Sequence, residues 1–180
     1  MSQINPNLPT VPQNNEQQLP TGAKVSQAEL ELSCINLISQ LELQVESARS
    51  GNSRGRHVEN APGNTDKLLS VLLDFCDNNF DKASADASVK SIQKASIDSL
   101  ALREVLGSLG WGFAVSNLFG KSVVSDVRVR QSYESLGESL LTACVSVLKQ
   151  AVTTVGPDSP AAEMIQQSTA VFVEEFKANW

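Results

Sequence analysis

Histidine occurs once in this chain of 180 residues, tyrosine once, and methionine and tryptophan twice each. A single histidine, His57, in a glycine-rich stretch leaves no material for a histidine-based triad or a histidine-rich metal site. HExxH, CxxC and a glycine-rich phosphate loop are all missing. The acidic pairs Asp74/Asp77 and Glu174/Glu175 read as ordinary solvated faces, because a carboxylate pair needs burial to acquire a useful pKa. The chain therefore reads as non-enzymatic, with no cofactor and no metal.

Aromatic residues make up only 5% of the chain, so a core must be built mainly from Leu, Val, Ile and Ala. The three cysteines, Cys34, Cys76 and Cys144, are odd in number and lack paired spacing. They read as buried, reduced thiols of an intracellular, cytoplasmic protein. No apolar run reaches the roughly 18–20 residues of a membrane span. The first residues lack the basic and hydrophobic regions of a secretory signal. A soluble chain is expected, with peripheral contact to a membrane surface as its closest approach to lipid. Acidic residues outnumber basic ones by 20 to 14, a net charge of −6. That balance argues against a polyanion-binding surface over the whole molecule and leaves room only for a local basic loop.

What is present is helical periodicity. Apolar residues make up 41% and charged residues 19%, a globular balance at a length that suits one domain. Residues 1–25, rich in Pro, Gln and Asn, read as a disordered tail, and 26–180 as a single helical domain. Ser26 and Glu29 form a capping box that opens an amphipathic helix over about 26–48, with Leu30, Cys34, Leu37, Ile38, Leu41 and Val45 on one face. Residues 49–65 read as a loop that gathers Arg49, Arg54, Arg56 and His57. Asn64 or Thr65 then caps a second helix. The stretch 81–96, anchored only by Val89 and Ile92, reads as short or irregular. Ile97, Leu100, Ala101, Val105 and Leu106 mark a further helix, ending at Gly107 or Gly110.

The longest apolar passage, Ser108–Gly120, holds Trp111, Ala114, Val115, Leu118 and Phe119 at helical spacing. So little polarity over three turns predicts a central helix buried on most sides. A long helix over roughly 132–155 follows, with Leu136, Leu140, Cys144, Val147, Leu148, Ala151 and Val155 facing inward. Gly156-Pro157 stops it, and Ser159-Pro160 starts the last helix, carried by Ile165, Phe172, Phe176 and Trp180. No run alternates with period two. The expected fold is all-α, a single-domain bundle around a buried central helix.

Two segments, in order, resemble homology regions of the Bcl-2 family of apoptosis regulators. Leu68–Asn78 resembles the third region, with Leu72, the small Cys76 and Asp77 at the matching places and Leu68 and Phe75 on the same face. Glu104–Gly120 resembles the first region: an acidic-hydrophobic lead, then Trp111-Gly112, then an apolar helix ending in Phe119-Gly120. The resemblance covers about 150 residues, 26 to 180. It implies a hydrophobic groove beside Trp111, Gly112, Phe113 and Val115 that captures a partner's amphipathic helix, and a role in regulating cell death. Phe113 stands where that family usually has arginine, and the Gly-Gly-Trp of its second region is absent. Recognition by apolar knobs, without an orienting charge at that position, is what the resemblance leaves.

Two other readings fit the same composition. A self-assembling helical protein, such as a rod-type viral coat, would bind RNA through Arg54, Arg56, Arg128 and Arg130. A secreted bacterial effector would carry its export leader in residues 1–25 ahead of a helical interaction domain.

Overall fold

Ser26 opens the first helix as its capping box predicts. Its hydroxyl accepts from the Glu29 amide at 3.3 Å and donates to the Glu29 carboxylate at 3.1 Å. The carboxylate thus reaches back to the hydroxyl rather than to an amide. The computed structural model describes residues 19–49, 54–118 and 125–180, and excludes the side chains of 48, 49, 54–56 and 111–118. Five helices lie within the described residues: α1 (Gln27–Arg49), α2 (Arg54–Asn79), α3 (Asp86–Leu118), α4 (Val127–Val155) and α5 (Pro160–Asn179). No strand occurs among them, and one isolated bridge pairs Ala23 with Phe80. The fold is an all-α bundle.

Every apolar position assigned to the inner face of α1 is buried. The same holds for α4, whose buried residues run from Val129 to Val155 through its whole length. α4 packs against each of the other four helices, so it holds the central position among the described residues. The sequence places that role on the helix at Trp111. That segment continues the backbone of α3 to Leu118, and its side chains lie outside the described residues.

Three expectations are corrected. Residues 54–65 are not loop but the first three turns of α2, with Pro62 inside the helix. Proline in a helix interior costs about 3 kcal/mol, and tertiary contacts offset it here. Val58, Ala61, Thr65, Leu68 and Leu72 form one continuous buried stripe. Ser99 donates to the Pro62 carbonyl at 3.4 Å and to Asp66 at 3.1 Å, and Arg103 pairs with Asp66 at 2.7 Å. The stretch from Asp86 is regular helix, and its buried stripe is largely small: Ala85 just before it, then Ser88, Ala95 and Ser99, with Ile92 and Leu102 as the larger members. Small side chains let α3 approach α4 closely, with Ser88 and Ser146 hydroxyls 3.3 Å apart. Ile97 and Leu100 therefore face outward, 65% and 53% exposed, rather than inward. Finally, the tail expected over 1–25 gives way to packed chain before residue 25. Residues 1–18 lie outside the described residues, but Ala23 is buried, the Lys24 amide donates to the Asn79 carbonyl at 2.9 Å, and the Asp81 amide donates to Gly22 at 2.7 Å.

The helix boundaries follow local chemistry. Gly110 (φ 35°, ψ −113°) breaks α3 at the position the sequence marks. Asp126 caps α4, accepting from the amides of Arg128 and Val129, so this helix begins about a turn earlier than its apolar pattern shows. Gly156 ends it at φ 102°, and Ser159 then caps α5 by accepting from Ala162, with Pro160 at its start.

Candidate functional site

A groove of about 470 Å³ runs between α1 and α5. Ile38, Leu41 and Val45 of α1, Leu148 of α4 and Phe172 of α5 form its apolar floor. Glu42 and Glu46 stand on the α1 wall, one helical turn apart, and Val171 and Glu175 on the α5 wall. Val171 is 60% exposed, an apolar side chain left on a wall whose neighbour Phe172 is buried. Outside the groove lining, α1 also exposes Ile35 (48%) and Leu43 (67%), more apolar positions than one buried face needs.

One end of the groove adjoins an aromatic cluster, sharing Val45 and Phe172 with a smaller cavity of about 40 Å³. Trp180 stacks on Tyr133 with ring centroids 4.3 Å apart and also stacks with Phe176 at 5.3 Å. Reciprocal hydrogen bonds lock the first pair. The indole Nε1 donates to the Tyr133 carbonyl at 3.0 Å, and the Tyr133 hydroxyl donates to the main-chain oxygen of Trp180 at 3.0 Å. The indole reaches a helix carbonyl because Gly137, one turn on, has no Cβ; one placed there would lie 2.3 Å from Nε1.

His57 meets both rings edge-on, at 6.0 Å to Tyr133 and 5.7 Å to Trp180. Its Nε2 and the Thr65 hydroxyl are buried with no hydrogen-bond partner among the described residues. Burial lowers the His57 pKa. An unfolded chain then takes up the proton first, so His57 contributes stability above the unfolded value of about 6.5 that is lost as pH falls through the folded value. Thermal unfolding should therefore shift to lower temperature between pH 7.5 and 5.5. His57→Phe, which keeps an edge-on ring without a titrating group, should reduce that shift; an unchanged pH profile in the variant would assign it to other groups.

Those of the residues singled out in the sequence that are described with side chains lie in α2 and at the start of α4. Leu68, Leu72, Phe75 and Cys76 are interior packing of α2, while Asp77 is exposed. Trp111, Gly112, Phe113 and Val115 follow the break at Gly110, and their side chains lie outside the described residues. So do those of Arg54 and Arg56. Arg128 pairs with its own cap residue Asp126 at 3.1 Å, and Arg130 is exposed. Burial raises the thiol pKa of Cys34 and Cys144 to about 12 and that of Cys76 to about 11, which makes all three poor nucleophiles. Among the described residues no three His, Cys, Asp or Glu side chains gather to hold a metal, and no helix is long and apolar enough to cross a membrane.

Compared with protein-family models, with curated proteins and with solved structures, the chain has no match.

Proposed function

We propose that this protein is a non-enzymatic interaction module that captures an amphipathic helix of a partner in the groove between α1 and α5. The observation that supports it is the groove itself: an apolar floor of Ile38, Leu41, Val45, Leu148 and Phe172, with the exposed Val171 on one wall. Helix-in-groove recognition needs such a slot, which receives side chains spaced at three, four and seven residues. The groove is lined by residues of α1, α4 and α5, whereas the Bcl-2 resemblance points to the Trp111 segment. The Leu68–Asn78 and Glu104–Gly120 motifs are what support the finer reading, in which the captured helix is a death-motif helix and the protein regulates cell death.

The test is fluorescence anisotropy with a labelled amphipathic helical peptide whose polar face is uncharged, titrated with the full chain. Micromolar binding is expected. It should be lost when the peptide's apolar leucines become glutamate. Val171→Asp should weaken it at least tenfold while leaving the circular dichroism and thermal midpoint unchanged, since Val171 is mostly exposed. Equal binding by Val171→Asp would remove the groove from the reading.

A further inference from the structure

The small cavity beside the aromatic cluster is mixed in character. Val45, Leu68, Leu140 and Phe172 give it apolar walls. His57 and Thr65 also line it, and they bring the two buried polar atoms, Nε2 and the hydroxyl, that have no partner among the described residues. Thr65 is 1% exposed, so bulk solvent does not serve its hydroxyl. A helical threonine has a local remedy, a bond from the hydroxyl to the carbonyl four residues back. Thr153, Thr154 and Thr169 all take it, at 3.1, 2.8 and 2.7 Å. Thr65 does not. A buried polar group without a partner costs free energy, and two on the wall of one cavity point to a shared ligand rather than to two separate defects.

Size selects that ligand. The cavity has a volume of about 40 Å³. One water needs about 10–15 Å³ of such space, whereas a cavity that takes benzene has about 150 Å³. Room for about three waters therefore exists, and an aromatic ring does not fit. We propose that this cavity is an internal hydration site, in which a short file of about three ordered waters pairs the Thr65 hydroxyl at one end and His57 Nε2 at the other. The spacing agrees: the two residues are eight positions apart on α2, about 12 Å along the helix axis. That is too far for a direct bond or a single water, while three waters in file make four hydrogen bonds of about 2.8 Å and cover about 11 Å. The file makes the seat of His57 against Tyr133 and Trp180 depend on a hydroxyl two turns away.

Oxygen-17 relaxation dispersion of the full chain counts long-lived waters without interference from exchanging hydroxyl protons. The native protein should hold about three more than the double variant Thr65→Val, His57→Phe, with both shown to be folded by circular dichroism. An equal count overturns the proposal. Stability gives a second reading, through its sign. Thr65→Val keeps the shape of the side chain and removes the hydroxyl. If water pairs that hydroxyl, the thermal midpoint should fall by about 2–4 °C, the loss of one hydrogen bond in a chain of this length. In a dry cavity the same change removes an unpaired polar group, and the midpoint should rise; a rise overturns the proposal. Sites so far apart with no shared partner have additive effects. Thr65→Val and His57→Phe should instead be non-additive, and strict additivity would remove the file that joins them.

Discussion

Leu72→Ala is expected to lower the free energy of unfolding by about 3 kcal/mol, the usual cost of deleting a fully buried leucine side chain. Leu72 is 0% exposed and sits within the main core beside Leu68, Leu69, Phe75 and Cys76. Asp77→Ala should change stability by less than about 0.5 kcal/mol, as for an exposed side chain with no special partner. The Asp77 main-chain carbonyl accepts from the Lys24 ammonium at 2.9 Å, and the substitution keeps that bond. Urea unfolding of the two variants reads the difference directly. A mild Leu72→Ala combined with a strong effect of Asp77→Ala would mean that this segment acts as a ligand-like motif, against its position in the core.

The second large effect is at Gly137, and its sign is the informative part. Glycine to alanine in a helix interior ordinarily stabilises by about 1 kcal/mol. Here a Cβ would sit 2.3 Å from the Trp180 Nε1 and 2.6 Å from Cδ1. The indole must leave its seat, which breaks its hydrogen bond to the Tyr133 carbonyl and disturbs the stack with Tyr133. Gly137→Ala should therefore destabilise the protein by about 2 kcal/mol, within the range for overpacked sites. In a Trp111→Phe background, which isolates Trp180, its fluorescence should shift to the red as the indole meets water. A stabilised Gly137→Ala with unchanged emission would show that Trp180 does not occupy this notch.

α1, α4 and α5 are legible in the sequence because each pairs a clean apolar stripe with an end signal: Ser26, then Gly156-Pro157, then Ser159-Pro160; the Asp126 cap, which starts α4 about a turn earlier, is not marked by the apolar pattern. The start of α2 and the first half of α3 are not, for opposite reasons. In α2, Gly55, Pro62 and Gly63 are turn residues by any local rule, and only burial of Val58 and Ala61 against Leu102, Val129 and Leu136 overrides them. In α3 the contact face consists largely of serine and alanine, so hydrophobicity draws attention to Ile97 and Leu100, which point outward. Close helix contact is carried there by smallness, which a hydropathy pattern does not weigh.

The groove was out of reach for a different reason. Its walls come from residues 38–46 and 167–175, more than 120 positions apart, and nothing local announces that they face each other. A signal is present on α5, where Val171 beside Phe172 exceeds what one inward face requires.

The measurement that bears most directly on helix capture is a methyl NMR titration of the full chain with the amphipathic peptide whose polar face is uncharged. Shifts should concentrate on the methyl groups of Ile38, Leu41, Val45 and Val171, with the core methyls of Leu72 and Leu102 unmoved. Shifts centred instead on Val115 and Leu118, or none at all with folded protein, would contradict a binding groove between α1 and α5.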